Sequence, residues 1–288
     1  MKRLALLLSF FATAAFAAET RDLIIVAGQS NAVGFNAKPT ELPADAADKE
    51  VMFWFRVGDP PPDDYDSTSG HQWTQLGPQP KGTPGPKTMP RQYGNFAEAE
   101  GGFGPEIGCA RTLIAKEHKP LAVVKAAFSG TSITEWNPQK PDAPGSCYKA
   151  LIDETKAAVA AAKEKQITLR PRAFVWVQGE SDASEKGAAA YPQEIADLVA
   201  AIRKELDAPE LIALLGVNTH FGSDKNPFMP KIVEAQKIAA SQMARCAYVD
   251  TASATIANSA HFDTKGTIDI GNRFAEALLQ MEGKGSGK

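Results

Sequence analysis

The chain has 288 residues, of which 43% are hydrophobic and 23% are charged, and its formal net charge at pH 7 is −3. This composition is typical of a soluble globular protein without extended disorder, and the length suits one large α/β domain better than two domains. The absence of a basic surplus argues against binding to nucleic acid or to an anionic membrane surface.

The first seventeen residues are typical of a signal peptide. Lys2 and Arg3 form a basic start, residues 4–14 an apolar core, and residues 15–17 (Ala-Phe-Ala) a small-x-small cleavage site. The apolar run is short for a membrane anchor, so cleavage after Ala17 is the favoured interpretation. Loss of the two basic residues takes the formal charge to −5. We expect a periplasmic or secreted domain over residues 18–283, without membrane contact after cleavage.

The cysteines and histidines indicate neither a disulfide scaffold nor a metal site. Cys109, Cys147 and Cys246 allow at most one bridge, and their spacing does not say which. No His/Cys cluster has metal-ligand spacing, and no phosphate-binding or dinucleotide-binding motif is present. We therefore expect neither a metal nor an organic cofactor.

The first predicted element is an apolar strand, residues 22–27, followed by Gly-Gln-Ser-Asn at residues 28–31. Open α/β sheets carry their chemistry at the carboxyl ends of strands, so Ser30 lies where a nucleophile is expected. Gly28 permits a tight turn, and a helix starting just after it would point N–H groups at developing negative charge. Ala32 excludes the G-x-S-x-G motif, and a turn with a capping serine is the alternative interpretation.

A region poor in helical periodicity follows, over residues 37–103, with one predicted strand at residues 51–55. A loop of this length inside a compact domain is usually a functional surface. We predict an insertion after the first strand that borders the site. Trp54, His71 and Trp73 in it either face a ligand or pack the insertion onto the domain, and packing is the more common role of aromatic residues.

Beyond residue 103, helices and strands alternate. Helices are predicted at residues 105–116, 148–165, 191–206, 229–243 and 265–281, and strands at residues 121–126, 173–177, 211–217 and 247–250. Alternation of this kind implies a mainly parallel sheet that is covered by helices on both faces. The predicted fold is a single three-layer α/β/α domain.

Polar residues directly follow three of the predicted strands, at Ser30, in the loop over residues 128–136 and in Gln-Gly-Glu-Ser-Asp at residues 178–182. The carboxyl ends of parallel strands share one edge of a sheet, so these residues should meet there. His261, in the loop before the last helix, is the only histidine next to such a position. It suits a general base for Ser30.

Three sequence blocks together resemble a known superfamily: residues 28–31, residues 178–182, and His261-Phe262 followed by Gly266 before a helix. In this order they resemble the SGNH hydrolases, and within them the branch of sialate O-acetylesterases and acetylxylan esterases of carbohydrate esterase family six. The blocks span nearly the whole mature chain. The resemblance implies a flavodoxin-like sheet and a serine esterase that removes acetyl groups from carbohydrates without a cofactor.

The resemblance also implies roles for individual residues. Ser30 would be the nucleophile and His261 its base, and the oxyanion hole would use the backbone N–H groups of Ser30 and Gly104 and the side-chain amide of Gln178. One preorganised donor of this kind is worth about 10²–10³ in rate. The loop over residues 128–136 would form a wall of the pocket. The residues assigned to substrate binding are Gln29, Asn31, Ser129, Gly130 and Thr131.

One position departs from the superfamily pattern, which usually has an aspartate three residues before the histidine. This chain has Asn258 there, and the same exchange in serine proteases costs about 10⁴ in turnover. Glu180 is the first substitute for the missing acid, followed by Asp263 and Asp250. For Glu180 and Asp182 the alternative is a capping or loop-fixing role.

The missing aspartate also motivates a second hypothesis, a carbohydrate-binding protein of the same fold with weak or lost catalysis. The presence of both Ser30 and His261 argues against it. A lipase or thioesterase would need a long apolar groove, which the Gly-, Pro-, Asp- and Lys-rich loops do not indicate. The sequence does not separate acetyl esters of xylan, sialic acid, pectin and peptidoglycan, and it carries no information on the oligomeric state.

Overall fold

The computed structural model describes residues 19–58, 61, 67–82, 95–223 and 225–285. The predicted signal peptide, residues 1–17, lies outside these residues and stays a prediction. In the described part of the chain, no helix combines the length and the apolarity that crossing a membrane requires. All three cysteines are free thiols and are buried.

The described residues form one sheet of eight strands. The strands are β1 (Glu19–Gly28), β2 (Val51–Gly58), β3 (Ser67–Thr68), β4 (Thr74–Gln75), β5 (Leu121–Phe128), β6 (Ile167–Val177), β7 (Ile212–Gly216) and β8 (Cys246–Tyr248). Their order is β3-β2-β5-β1-β6-β7-β8, and β4 also pairs with β2. The short strands β3 and β4 run antiparallel to β2, and the other pairs are parallel.

Five of these strands reproduce the flavodoxin-like arrangement. Numbered along the chain, β1, β5, β6, β7 and β8 occur in the order 2-1-3-4-5, and β2 extends the sheet beyond β5. The strand order reverses at β1, which pairs with β5 on one side and β6 on the other. Ligands of open α/β sheets bind in the crevice at this reversal.

Helices cover the sheet on both faces. They are α1 (Ser30–Val33), α2 (Glu106–Glu117), α3 (Cys147–Glu164), α4 (Glu185–Glu205), α5 (Met229–Gln242) and α6 (Thr264–Gly285). Successive side chains of β1 point to opposite faces, so Ile25 lies in the cluster with α3, α4 and α5, and Ile24 in the cluster with α2 and α6. The predicted three-layer α/β/α fold is confirmed.

Two elements begin six residues earlier than predicted. Helix α4 starts at residue 185 rather than 191, because Ser184 accepts a hydrogen bond from the Gly187 N–H and so caps a helix that contains Pro192. Strand β6 starts at residue 167 rather than 173, and its register with β1 shifts at Arg172. Arg172 pairs there with acidic side chains, which allows the strand to continue through a polar stretch that the apolar pattern does not reveal.

The insertion supplies a strand of the sheet, β2, and packs its aromatic residues against α3. The Trp54 Nε1–H donates to Glu154 at 2.7 Å, and the Trp73 Nε1–H donates to the Ala158 carbonyl at 3.0 Å. The His71 ring lies beside Trp54, with Nε2 3.8 Å from Glu154. These contacts support the packing interpretation for Trp54 and Trp73, whereas the His71 side chain is 69% exposed.

Candidate active site

The end of β1 brings Ser30 to the carboxyl edge of the sheet. Gly28 has φ of +137°, and a Cβ there would lie 2.1 Å from the Val177 carbonyl oxygen of β6. Only glycine allows the two strands to approach this closely. The Gln29 N–H donates to the same Val177 carbonyl at 3.0 Å. Helix α1 then begins at Ser30, and Gly34 ends it in the left-handed conformation.

Ser30 and His261 form a hydrogen-bonded pair although they are 231 positions apart in the chain. The His261 Nε2 and the Ser30 Oγ are 3.0 Å apart. The pair lies in a pocket of about 350 Å³, whose polar lining also includes Gln29, Ser129, Gly130 and Ser181. Three larger surface grooves, of about 380, 530 and 550 Å³, contain neither Ser30 nor His261.

Burial sets the protonation state of His261. It lowers the pKa of the imidazole to about 4, so the ring is neutral at physiological pH and can accept a proton. The Phe35 ring stacks on the imidazole with a centroid distance of 4.7 Å and an interplanar angle of 25°. Phe221 and Ala260 complete the apolar part of the pocket.

In the described ranges, no carboxylate is hydrogen-bonded to the His261 ring. Asn258, at the position of the usual aspartate, accepts hydrogen bonds from the backbone N–H groups of Ala260 and His261 and so holds the loop rather than the imidazole. Asp263 accepts from the Thr255 hydroxyl and the Gly266 N–H. Asp250 accepts from the Ala252 N–H. Both aspartates therefore fix local turns.

Glu180, the first candidate for the acid, contacts other groups. Its Oε1 accepts a hydrogen bond from the Asn31 Nδ2 at 2.7 Å and another from the Asn218 backbone N–H at 3.1 Å. The carboxyl group is buried, and burial raises its pKa to about 7. The structure does not bring Glu180 into hydrogen-bond contact with His261, so no contact supports its prediction as the acid.

The loop over residues 128–136 is fastened by Asp182. The Asp182 carboxylate accepts from the Ile133 N–H at 2.9 Å and from the Gln178 Nε2 at 2.6 Å, and burial raises its pKa to about 6. Thr131 lies behind the pocket wall, where its hydroxyl donates to the Phe128 carbonyl. Of the predicted wall residues, Ser129 and Gly130 line the pocket and Thr131 does not.

Two predicted oxyanion donors are engaged elsewhere. The Gly104 N–H donates to the Glu106 carboxylate at 2.8 Å. The Gln178 amide donates to Asp182 and to the Thr131 carbonyl, and the residue is fully buried. The structure therefore does not bring these donor groups to Ser30. Within the described residues, the backbone N–H groups of Ser30 and Gly130, both at the pocket, have no acceptor.

Some residues at or behind the site were not singled out from the sequence. Phe35 and Phe221 give no motif signal, because a single phenylalanine in a loop is uninformative. Lys125 does give a sequence signal, since it interrupts the apolar run of β5. Its ammonium is fully buried and donates to the Val33 carbonyl at the end of α1, and to Gln79 and Glu106.

The described residues contain no group of three or more histidine, cysteine or acidic side chains that is placed to hold a metal ion. The arrangement at the pocket is chemically suited to nucleophilic catalysis. It consists of a hydroxyl beside a neutral imidazole, two unengaged backbone donors and a small cavity.

Comparison with known proteins links this arrangement to one family and to several solved structures. Residues 20–280 match the family model described as carbohydrate esterase, sialic acid-specific acetylesterase. No curated protein sequence is significantly similar to the chain.

Three solved structures are similar in fold. An Arabidopsis thaliana protein aligns with 90% of this chain and 98% of its own at 16% identity, with a TM-score of 0.64. The structure of NanS covers 93% and 98% at 18% identity, with a TM-score of 0.58. A carbohydrate acetylesterase from Xanthomonas citri covers 91% of this chain and 56% of its own at 18% identity, with a TM-score of 0.57.

Proposed function

Since the chain belongs to the sialic acid-specific acetylesterase family of carbohydrate esterases and is a carbohydrate O-acetylesterase, we propose that it works as a serine esterase through an acetyl-enzyme on Ser30. The observation that carries this proposal is the 3.0 Å distance between the Ser30 Oγ and the His261 Nε2 at a pocket. A hydroxyl is a weak nucleophile unless an adjacent base takes its proton.

The reaction follows from this geometry in two halves. His261 Nε2 takes the proton from Ser30 Oγ while Oγ attacks the acetyl carbonyl carbon, and the imidazolium then gives that proton to the departing sugar oxygen. In the second half, His261 takes a proton from water as the water oxygen attacks the acetyl-enzyme. Acetate leaves when the carbon–oxygen bond to Ser30 breaks and Ser30 regains a proton.

The developing oxyanion is bound by backbone donors. We assign this role to the N–H groups of Ser30 and Gly130, which have no acceptor in the described part of the chain and belong to residues of the pocket. Gly104 and Gln178 do not take part, because their donors are engaged by other groups. Loss of one such donor typically costs about 10²–10³ in rate.

The pocket suits an acetyl group on one sugar residue. Its volume of about 350 Å³ is at the lower end of ligand pockets. The apolar lining by Phe35, Phe221 and Ala260 can bury the acetyl methyl group, and the hydroxyl of the exposed Ser181 can bind a sugar hydroxyl. The proposed substrate is therefore a carbohydrate acetyl ester rather than a long-chain ester.

We also propose that the enzyme acts outside the cytoplasm. The support is the sequence of residues 1–17, which has the basic start, apolar core and small-residue cleavage site of a signal peptide. An acetylated polysaccharide or glycan outside the cytoplasm would then be within its reach.

The test is hydrolysis of a small acetyl ester and of an acetylated sugar by the mature protein, beside its Ser30→Ala and His261→Ala variants. Both variants should lose several orders of magnitude in kcat, because nucleophile and base act as a unit. Ser181→Ala removes a pocket hydroxyl outside the hydrogen-bonded pair and should keep most of the activity on the small acetyl ester, which has no sugar hydroxyl for Ser181 to bind. Mass spectrometry of quenched reactions should find an acetyl group on the peptide that contains Ser30.

Equal turnover by the wild type and Ser30→Ala would refute the serine mechanism. So would an equal loss in Ser30→Ala and Ser181→Ala, since the pocket and not the hydrogen-bonded pair would then determine the rate.

A further inference from the structure

The side-chain amide of Asn31, the residue after Ser30, connects Ser30 to the loop that carries His261. The Asn31 Oδ1 accepts a hydrogen bond from the Phe262 N–H at 3.0 Å, and the Asn31 Nδ2 donates to the Ala260 carbonyl at 3.0 Å. Ala260 and Phe262 are the residues on either side of His261. The side chain that follows Ser30 on α1 is thus bonded to the backbone on both sides of the base.

Glu180 fixes the orientation of that amide. Its Oε1 accepts the second Nδ2 hydrogen of Asn31 at 2.7 Å and is itself held by the Asn218 backbone N–H at 3.1 Å. An amide rotated by 180° would place its oxygen against the Glu180 oxygen and its NH₂ group against the Phe262 N–H. Glu180 therefore specifies which way Asn31 points.

We propose that Asn31 is a positioning residue that sets the alignment of Ser30 with His261, and that Glu180 acts through Asn31 and not on the imidazole. This inference rests on the proposed function, because it concerns the same pair. It replaces two roles expected from the sequence, substrate binding for Asn31 and the triad acid for Glu180.

Burial argues against substrate binding by the Asn31 side chain. Asn31 is 2% exposed and does not line the pocket. Both of its Nδ2 hydrogens and its Oδ1 are used by Glu180, Ala260 and Phe262. A sugar could reach this amide only by breaking the bonds that hold the loop of the base.

The second carboxyl oxygen argues against an acid role for Glu180. Oε2 is buried and has no hydrogen-bond partner among the described residues, His261 included. Burial raises the pKa of Glu180 to about 7, which agrees with a carboxyl group that also works when protonated. A protonated carboxyl group keeps Oε1 as an acceptor for Asn31, whereas a triad acid must be ionised to stabilise the imidazolium.

The decisive variant is Glu180→Gln, measured beside Glu180→Leu and Asn31→Asp. Gln keeps the Oε1 acceptor and loses the charge. We expect kcat within about tenfold of the wild type and an unchanged acid limb of the kcat/KM pH profile, whereas removal of a triad carboxylate costs about 10⁴. Asn31→Asp loses both Nδ2 donations, to Ala260 and to Glu180, and keeps only the Oδ1 acceptor for the Phe262 N–H. Glu180→Leu removes the acceptor that fixes the orientation of the Asn31 amide. The kcat of both variants should fall by about 10² or more with little change in KM, because misplacement of a catalytic group by about 1 Å has that effect.

Each result has a defined meaning. A loss of about 10⁴ in Glu180→Gln, or a shifted acid limb, would show that the charge acts on His261 and would overturn the proposal. So would an Asn31→Asp variant that raises KM and keeps kcat. Thermal unfolding of each variant separates misalignment from loss of the fold, and if Glu180→Leu does not fold, the Glu180→Gln and Asn31→Asp pair still decides. Failure of the proposed function is a separate outcome. It would appear as equal turnover by Ser30→Ala and the wild type, independently of the activity of Glu180→Gln.

Discussion

The protonation of His261, the proposed base, is governed by burial and not by a neighbouring acid. Burial lowers its pKa to about 4 from the ordinary value of 6.5, and the protonated ring cannot accept the Ser30 proton. As pH falls, kcat/KM should therefore stay level through 6.5 and decline only towards pH 4. A pH–rate profile on an acid-stable acetyl ester measures this limb. A midpoint near 6.5 would contradict the prediction.

Phe35 offers a control for that profile. Its ring covers the imidazole, so Phe35→Ala admits water and should move the acid limb up towards 6.5, while Phe35→Leu keeps apolar cover and should move it less. Should both variants keep the limb of the wild type, the protection of His261 must come from the rest of the pocket.

For single residues, the sequence predicts where a side chain lies better than what that side chain does. Ser30 and His261 were found because polar residues after apolar strands collect at one edge of a parallel sheet. The roles of Asn31, Gly104 and Gln178 are not predictable in this way, because each depends on hydrogen bonds that leave no pattern in the sequence. The Asn31 amide bonds to residues more than a hundred positions away. The donors of Gly104 and Gln178 are engaged by the nearby carboxylates of Glu106 and Asp182. Asn258 likewise differs from the expected aspartate in what it holds, a backbone loop and not a ring.

Helix α1 depends on its surroundings for its stability. Four residues are far too few to form a helix in isolation, since nucleation costs more than one turn returns. Gly34 satisfies one of its terminal carbonyls, that of Ser30, and the buried ammonium of Lys125 satisfies another, that of Val33. The helix that presents Ser30 is thus held from the middle of strand β5.

Replacement of Lys125 should therefore destabilise the protein strongly. Lys125→Met leaves the buried Glu106 carboxylate without its cation and the Val33 carbonyl without a donor. Breaking a buried ion pair in this way typically costs about 3–5 kcal/mol. Urea unfolding monitored by fluorescence measures the loss.

The matched control is the double variant Lys125→Met, Glu106→Gln. It removes both charges and keeps an acceptor for the Gly104 N–H, so it should recover much of the lost stability. A single variant within about 1 kcal/mol of the wild type would mean that the ion pair contributes no more than a surface pair.

Element boundaries were predictable where apolar residues mark them and not where polar contacts extend them. Helix α5 was placed within one residue of its observed end by its periodicity. The early starts of β6 and α4 depend on the ion pairs of Arg172 and on the cap from Ser184. Neither contact has a local apolar signature.

For the whole molecule, the alternation of helices and strands is sufficient to predict three layers, because each parallel crossover requires a helix on one face of the sheet. It does not reveal that β1 pairs with β5 and β6. Local periodicity carries no information on a partner strand about a hundred residues away.

Export of the chain is tested by expression of all 288 residues in a Gram-negative host. Esterase activity should appear in the periplasmic fraction, and sequencing of the active protein should begin at Ala18. A Leu7→Arg variant interrupts the apolar core of the signal and should leave a full-length protein inside the cell. Recovery of active protein that still carries Lys2 would refute cleavage.

The position of β1 has a consequence for the growing chain. Of the described strands it is the first to leave the ribosome, and it ends at the centre of the finished sheet, yet its neighbours begin only at Leu121 and Ile167. Ser30 is made early, and its base follows 231 positions later. On the proposed mechanism, a nascent or truncated chain that ends before residue 261 carries Ser30 without its base and should not hydrolyse acetyl esters.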